Sequence, residues 1–237
     1  MTDTSRYQTK RARVHLRKEG TATFRDIDIV DAATFSFQDQ TITKQSTNEV
    51  IGEVARKTVS VAGTLSIDMG STEWANFLVA THSRESTQAA VVASTFALPS
   101  LKAGQQFKLP SVNITDIAIT GLVEGVDFVV YKTSGLVKAL VDIVDAISGC
   151  SYSAGLAKRG AFTAGGRVNY EAIVDDILNG EVHQFYKWNP DLPQNIALVK
   201  PNEFGMYQVT GALLLDQTKP ADGEYGQFGV KYEVATA

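Results

Sequence analysis

Residues 57–67, KTVSVAGTLSI, decide the fold class because apolar and polar side chains alternate along them with a period of two. The large apolar members share one side of an extended chain: Val59, Val61, Leu65 and Ile67. Threonine and serine occupy the other side. This alternation is typical of a strand with one buried face.

The same alternation recurs along the chain and predicts a protein made mainly of strands. Residues 207–215 and 228–234 alternate, and Asp222-Gly223 between them is a turn signal, so 207–234 is predicted to be a hairpin. A second hairpin is predicted over 126–144, and further strands over 23–30, 33–37, 111–120 and 167–174. The segment 71–80, STEWANFLVA, predicts the one helix. The expected fold is all-β, a mainly antiparallel β-sandwich or barrel with one short flanking α-helix, in a single domain spanning 1–237.

Two segments lack this alternation. Residues 38–56 are polar with scattered apolar residues, and a long loop of this kind is usually functional or mobile. Its apolar members are candidates for contact with a neighbouring subunit: Ile42, Val50, Ile51 and Val54. Residues 148–166 are rich in glycine, alanine and serine and are predicted to be a surface loop or linker.

The N-terminal arm, residues 1–20, is basic. Residues 1–18 carry six lysines and arginines against one aspartate, a net charge of +5, whereas the whole chain carries −4. In RARVHLR, residues 11–17, the basic side chains Arg11, Arg13 and Arg17 would form one row of a strand. Two interpretations stay open: contact with phosphate or with an acidic surface of a neighbouring subunit, or a solvated edge whose charges discourage wrong pairing.

Composition and motifs give no sign of catalysis. The chain has one cysteine and three widely spaced histidines, so neither an intramolecular disulfide nor a zinc framework is expected. No phosphate-binding glycine motif occurs, and no apolar run reaches the about 18–20 residues that cross a bilayer. GCSYSAG at 149–155 departs from the nucleophile-elbow pattern, although Ser151 and Ser153 remain hydrolase candidates. We therefore expect no enzyme, no metal and no cofactor.

Residues 180–205 hold three of the six prolines next to Tyr186 and Trp188. One hypothesis is a carbohydrate- or ligand-binding β-sandwich in which Tyr186 and Trp188 form a stacking platform. The other is a rigid turn, because proline lacks the amide proton that strand pairing uses. In that case the turn would lie at a rim, and Tyr186 and Trp188 would be buried below it or would meet the next subunit. Pro190 and Pro193 in the turn are further candidates for that contact.

The order of these features resembles the siphophage tail tube proteins, also called major tail proteins. The resemblance covers most of residues 20–235 and is carried by a combination of parts. An early strand pair precedes the loop 38–56 and strand 57–67, and STEWANFLVA follows. The stretches GVDFVVYKTSGLVKAL and NYEAIVDDILNGEVHQFYKWNPDLPQNIALVKPNEFGMYQVTGALLLD are similar to later parts of that family. The strong basic arm and segment 148–166, which looks like an insertion, depart from its pattern.

This resemblance implies a structural virion protein. Six copies would form a ring, and stacked rings would form the tube of a long non-contractile tail through which DNA leaves the virion. The implied partners are further copies of this chain, the tape-measure protein in the lumen, the tail terminator and tail-tip proteins, and genomic DNA passing without specific contacts. The implied location is the virion tail, after assembly in the host cytoplasm, with no membrane involved. Residues 38–56 would pack on neighbouring subunits, and the basic arm would meet an acidic partner.

Overall fold

The computed structural model describes residues 12–27, 30–45, 53–176, 180–193, 196, 206–220, 224 and 226–234, with the backbone alone at 45, 53 and 54. The elements are, in chain order, β1 (Ala12–Lys18), β2 (Arg25–Asp26), β3 (Val30–Gln45), β4 (Glu53–Met69), α1 (Trp74–Ala80), β5 (Arg84–Gln88), β6 (Val91–Leu98), β7 (Gln106–Lys108), β8 (Ile114–Ala118), β9 (Phe128–Tyr131), β10 (Leu136–Ala139), β11 (Ile147–Ala154), β12 (Ala157–Ala161), β13 (Tyr170–Asp176), β14 (Glu181–Pro190), β15 (Tyr207–Leu213) and β16 (Gly229–Glu233). The predicted all-β class with one short helix is confirmed.

The chain divides into two compact units. The large unit comprises Met1–Arg84 and Phe162–Ala237, and the inserted unit comprises Glu85–Ala161. Each has its own cluster of buried apolar side chains. This division differs from the single domain expected from the sequence, because alternation marks where strands lie but not which strands share a core.

The large unit is built on one antiparallel sheet with the strand order β2-β1-β13-β14-β15-β4-β3, and β16 pairs with β14 beside β15. The sheet curls enough for β1 and β3, near opposite ends of this order, to approach each other. Its core is enclosed by side chains from most of the strands and from α1, and includes Leu16, Leu65, Ile67 and Trp188. The helix packs against β15, where the Phe77 and Tyr207 rings lie 6.4 Å apart.

The C-terminal strands pair differently from the predicted hairpin. β15 and β16 are not paired with each other, because both bond to the same side of β14 at different points along it. Pro190 to Trp188 face β15, whereas Phe185 to Glu181 face β16. The two alternating segments were identified correctly, but their common partner lies earlier in the chain.

The inserted unit is a small sandwich of two three-stranded sheets, β7-β10-β9 and β6-β11-β8, with an additional ladder between β5 and β12. The hairpin predicted within 126–144 is present as β9 and β10. Its core draws on both sheets and includes Leu98, Phe128, Val137 and Tyr152.

Segment 148–166 was predicted to be a loop, and this is wrong for most of its length. β11 is the central strand of its sheet, paired with β6 on one side and β8 on the other, and β12 follows it. Its alternate residues Cys150, Tyr152 and Ala154 are buried in the core. Pairing on both sides therefore overrides the weak strand propensity of glycine, serine and alanine.

Candidate functional site

The β3–β4 hairpin extends beyond the sheet that holds it. β15 pairs with β4 from Met69 only as far as Gly63, opposite Leu213. We call residues 30–37 and 63–69 the proximal half of the hairpin, and residues 38–45 and 53–62 the distal half. Among the described residues, the strands of the distal half pair only with each other. Residues 38–56, predicted to be a long loop, are therefore two strand segments wherever they are described.

Apolar side chains change their environment at the boundary between the two halves. Leu65, Ile67 and Met69 in the proximal half are at most 1% exposed. In the distal half, Ile42 is 66% exposed, Val59 58% and Val61 42%. Val61 therefore keeps the face that the alternation predicted, but among the described residues it has no core beneath it.

The register assigns the exposed apolar residues to different faces. Phe35 lies opposite Leu65, Phe37 opposite Gly63 and Asp39 opposite Val61, so these pairs continue the core-facing side of the sheet. Ile42, opposite Lys57, points to the other side. Val59 is the extra residue of a β-bulge, since Gln40 pairs with Ser60 and Thr41 with Thr58. Both faces of the distal half thus present an aliphatic side chain to solvent.

Two aromatic residues, Phe35 and Phe37, mark the boundary and are each about half exposed. The Phe35 ring lies 5.4 Å from that of Phe185, and the Phe37 ring lies 5.3 Å from that of Phe228. Gly63 makes room for Phe37, because a Cβ at Gly63 would lie 2.8 Å from Cε1 of that ring. The end of the core is therefore closed by aromatic rings that also face outward.

The opposite face of β3, β4 and β15 is polar and almost uncharged over the proximal half. Its polar cross-strand pairs are Thr34 with Ser66, Ser36 with Thr64, Ser66 with Thr210, and Gln208 with Asp68, and on the same face Ala32 and Ala212 pair with Asp68 and Thr64. The Ser66 and Thr210 hydroxyls are 2.9 Å apart. This surface offers hydroxyl and amide groups, and Asp68 is its one charged side chain among these pairs.

The basic row lies on β1, inside the sheet. β1 pairs with β13 along its whole length and with β2 only at His15 and Leu16, so the interpretation as a solvated edge does not hold at those two residues. Arg13 stands opposite Asp175 and is exposed, and Arg17 forms an ion pair with Glu171. The row therefore meets acidic residues of its own sheet. Arg11 lies outside the described residues.

The aromatic segment of β14 contains a bulge that sequence alternation could not reveal. Trp188 pairs with Tyr170 and Phe185 with Ala172, so β14 has one residue more than β13 over this interval. Phe185 and Trp188 consequently both face the core, at 5% and 0% exposure. Trp188 donates its Nε1–H to the Leu65 carbonyl over 3.1 Å.

This geometry excludes the proposed stacking platform and two of the surface candidates. Trp188 has no exposed face, and the half-buried Tyr186 carries the Lys219 ammonium 5.2 Å from its ring centre. Pro190 is buried at the end of β14 opposite Gly211, whereas Pro193 is half-buried in the following loop. Trp188 is thus buried, which is one of the two outcomes expected for it, and neither Trp188 nor Pro190 is exposed for contact with another subunit.

The remaining contact candidates, those of residues 38–56, differ in whether the structure describes their side chains. Ile42 is on the exposed distal half, as expected for a contact residue. Val50 and Ile51 lie outside the described residues, and Val54 lies in β4 with only its backbone described. Phe35, Phe37, Val59 and Val61 are further exposed apolar residues of the same hairpin, but they were not named as contact candidates from the sequence. One feature of the sequence could have revealed them. Strand 57–67 directly follows the polar segment 38–56, and such a neighbour can indicate that a strand extends beyond the sheet that covers it.

The described residues contain no group of three or more histidine, cysteine, aspartate or glutamate side chains placed to hold a metal. Ser151 and Ser153, the hydrolase candidates, lie within the central strand β11, and the Ser153 hydroxyl accepts a bond from the Ala93 amide over 3.1 Å. In the part of the chain that the structure describes, no helix is long and apolar enough to cross a membrane.

Comparison with known proteins identifies one family. The family model described as "Protein of unknown function UCP028589" matches residues 11–231, so the chain belongs to this family. The match includes all the described elements up to Lys231. A search of curated proteins finds no match.

Proposed function

We propose that this member of the family is a structural virion protein that self-assembles into hexameric rings, which stack as the tube of a long non-contractile phage tail and form the conduit for DNA ejection. The observation that carries the proposal is the distal half of the β3–β4 hairpin, a two-stranded arm with exposed aliphatic residues on both faces. Other copies of the chain would cover it.

The low stability expected of an isolated hairpin supports the view that this arm binds a partner. An isolated two-stranded hairpin is marginally stable in water, and a third strand or a packing surface is needed to hold it. Fully burying one valine or isoleucine side chain contributes about 1.5–3 kcal/mol. Docking Ile42, Val59 and Val61 on a neighbouring copy would therefore supply both the missing surface and the energy of association.

The edge of the sheet supports closure into a ring. β3 is the last strand in the order, and along Val30–Gln45 its second edge forms no ladder with another described strand. An open edge of this length favours pairing with further chains unless it is covered. A contact between two different surfaces of identical subunits closes into a ring when the rotation permits.

The polar face of β3, β4 and β15 suits a conduit. A bore lined with lysine and arginine would hold DNA through phosphate contacts and release of counterions. Hydroxyl groups such as those of Thr34, Ser36, Ser66 and Thr210 would not hold DNA in this way. In such a tube, the lumen would first hold the tape-measure protein, and tail terminator and tail-tip proteins would bind the two ends.

Electron microscopy and sedimentation of the purified full chain test the proposal. We expect rings or tubes from the wild type and mainly monomer from the double variant Ile42→Asp/Val61→Asp, because each aspartate would have to be desolvated at the contact. Ser60→Asp is the matched control: it adds a carboxylate to the same half of the hairpin at a position that is already polar.

The control is expected to assemble like the wild type, and all three proteins should unfold at similar denaturant concentrations. A wild type that stays monomeric at high concentration would contradict the proposal. So would a double variant that still forms rings.

A further inference from the structure

The inserted unit has two distinct ends, one at each end of the β9–β10 hairpin. β9 and β10 run between them, and the Leu140 amide donates to the Asp127 carbonyl over 2.8 Å at one end. We call residues 122–127 and 140–145 the tip. The other end, which we call the base, comprises residues 85–92, 111–113, 131–135 and 155–161. The chain enters and leaves the unit at the base, through the paired strands β5 and β12.

The tip exposes a group of aliphatic side chains. The residues concerned are Val123, Val126, Leu140, Val141 and Val144, of which Val144 is 81% exposed. The Asp127 amide donates to the Val123 carbonyl within the first loop, and the Leu140 amide donates to the Asp127 carbonyl and so joins the two loops. Exposed aliphatic residues concentrated in adjoining loops indicate an interaction surface, whereas scattered ones do not.

The charged groups of the tip are mostly acidic. They are Glu124, Asp127, Asp142 and Asp145, with Lys102 as a nearby cation. Asp127 and Asp142 accept backbone amides of Val123 and Ala103, which fixes their loops. Glu124 and Asp145 are exposed and have no ion-pair partner among the described residues. The tip is thus an aliphatic surface with an acidic rim.

The base has the opposite charge and is also partly apolar. Its exposed cations are Lys132, Lys158 and Arg159, against Glu85, which lies 3.9 Å from Lys158. Its exposed apolar residues are Val92, Leu156 and Tyr131, and Val92 is 85% exposed. Asn113 ties these parts together, donating to the Thr133 and Leu156 carbonyls and accepting the Gly155 amide.

We propose that the tip of the inserted unit in one copy of the chain binds the base of the inserted unit in a second copy. Each surface pairs an apolar area with charges, and the charges are of opposite sign. Such complementarity steers association and suppresses wrong arrangements. Because the two surfaces differ, the contact is head-to-tail and continues from copy to copy. The proposal concerns the inserted unit alone and does not depend on the tail-tube function.

Charge exchange in the full chain tests this contact. The tip variant is Glu124→Lys/Asp145→Lys, and the base variant is Lys132→Glu/Lys158→Glu. Each places like charges on both surfaces, so we expect self-association measured by sedimentation velocity to weaken by about tenfold or more at low salt. Asp116→Lys, an exposed change on β8 outside the tip, is the control and is expected to associate like the wild type.

Two combinations of these variants distinguish loss of the proposed contact from a general loss of folding. An equimolar mixture of the tip and base variants, and the single chain carrying all four substitutions, should both recover association, because opposite charges face each other again. The proposal is overturned if neither recovers, if the two variants associate as tightly as the wild type, or if the wild type does not self-associate. Rings that are lost in Ile42→Asp/Val61→Asp but unchanged in the charge variants would leave the tube proposal standing and remove this one.

Discussion

The β4 strand carries one alternating sequence pattern through both halves of the β3–β4 hairpin, but the two halves have opposite environments. Val59, Val61, Leu65 and Ile67 follow one alternating pattern within a single strand. Leu65 and Ile67 are buried, whereas Val59 and Val61 are largely exposed. The difference begins at Gly63, where the pairing with β15 ends.

The comparison teaches that alternation specifies a strand and its faces, but that burial depends on what lies next to the strand. The proximal half is covered because β15 extends the sheet and Trp188 lies beneath it. In the distal half, β4 continues the alternation of apolar and polar residues, but neither β15 nor Trp188 lies next to it. An apolar face that the other described residues do not cover is accessible to another molecule, and the proposed assembly is based on this accessibility.

Hydrogen exchange should give the largest difference between the halves. Backbone amides of residues 63–69 need an opening close to global unfolding, whereas residues 55–62 can open locally. In the monomer we therefore expect protection factors to differ by about a thousandfold or more. Exchange measured by NMR or mass spectrometry checks this, and protection of 55–62 should rise on assembly. Equal protection in both halves of the monomer would contradict the boundary at Gly63.

Truncation of one side chain in each half should give the next largest difference. Leu65→Ala leaves a cavity in the core and should lower the free energy of unfolding by about 2–5 kcal/mol. Val61→Ala, four residues away on the same face, should change it by less than about 0.5 kcal/mol, as for other surface changes. Urea denaturation of the two variants measures both values. A similar loss in both would show that the distal half is packed in the monomer.

Adding a methyl group at Gly63, where the two halves meet, should have an intermediate effect on the free energy of unfolding. In Gly63→Ala the new Cβ would lie 2.8 Å from Phe37 Cε1 and 3.0 Å from Leu213 Cβ. Because overpacking forces side chains away from their preferred positions, we expect a loss of about 1–3 kcal/mol. Phe37→Leu in the same background should restore part of this loss by removing the ring. If Gly63→Ala is as stable as the wild type, the close approach of Phe37 is not required.

The sequence predicted the strands with clear alternation and missed those defined only by their partners. β4 was found because apolar residues recur every second residue, and β9 and β10 were found because residues rich in β-branched side chains flank the turn KTSG. Residues 38–45 were not, since Thr41, Thr43 and Lys44 have no apolar rhythm and are extended only because β4 pairs with them.

The sequence placed contact candidates in the hairpin where the structure exposes apolar side chains, but it named only some of these side chains. Ile42 was identified because an isolated aliphatic residue in a polar segment needs a partner. Trp188 was misassigned because the bulge in β14 shifts the alternation by one residue, and a bulge leaves no mark in a single sequence. Val61 was assigned to the core because the pattern does not say where β15 ends.

A pair of serines gives the smallest and most local comparison. The Ser66 hydroxyl in the proximal half lies 2.9 Å from the Thr210 hydroxyl, and the Ser60 hydroxyl in the distal half donates to Gln40 over 3.0 Å. Because Ser66 links β4 to β15, we expect Ser66→Ala to cost about 0.2–1 kcal/mol, the usual worth of a cross-strand pair. Ser60→Ala should leave the free energy of unfolding of the monomer unchanged, since the distal half opens before the core does. Chemical denaturation at matched ionic strength, with Thr210→Ala as a second route to the same lost bond, checks both values. If Ser60→Ala costs as much as Ser66→Ala, the distal half unfolds together with the core and the two halves form one cooperative unit.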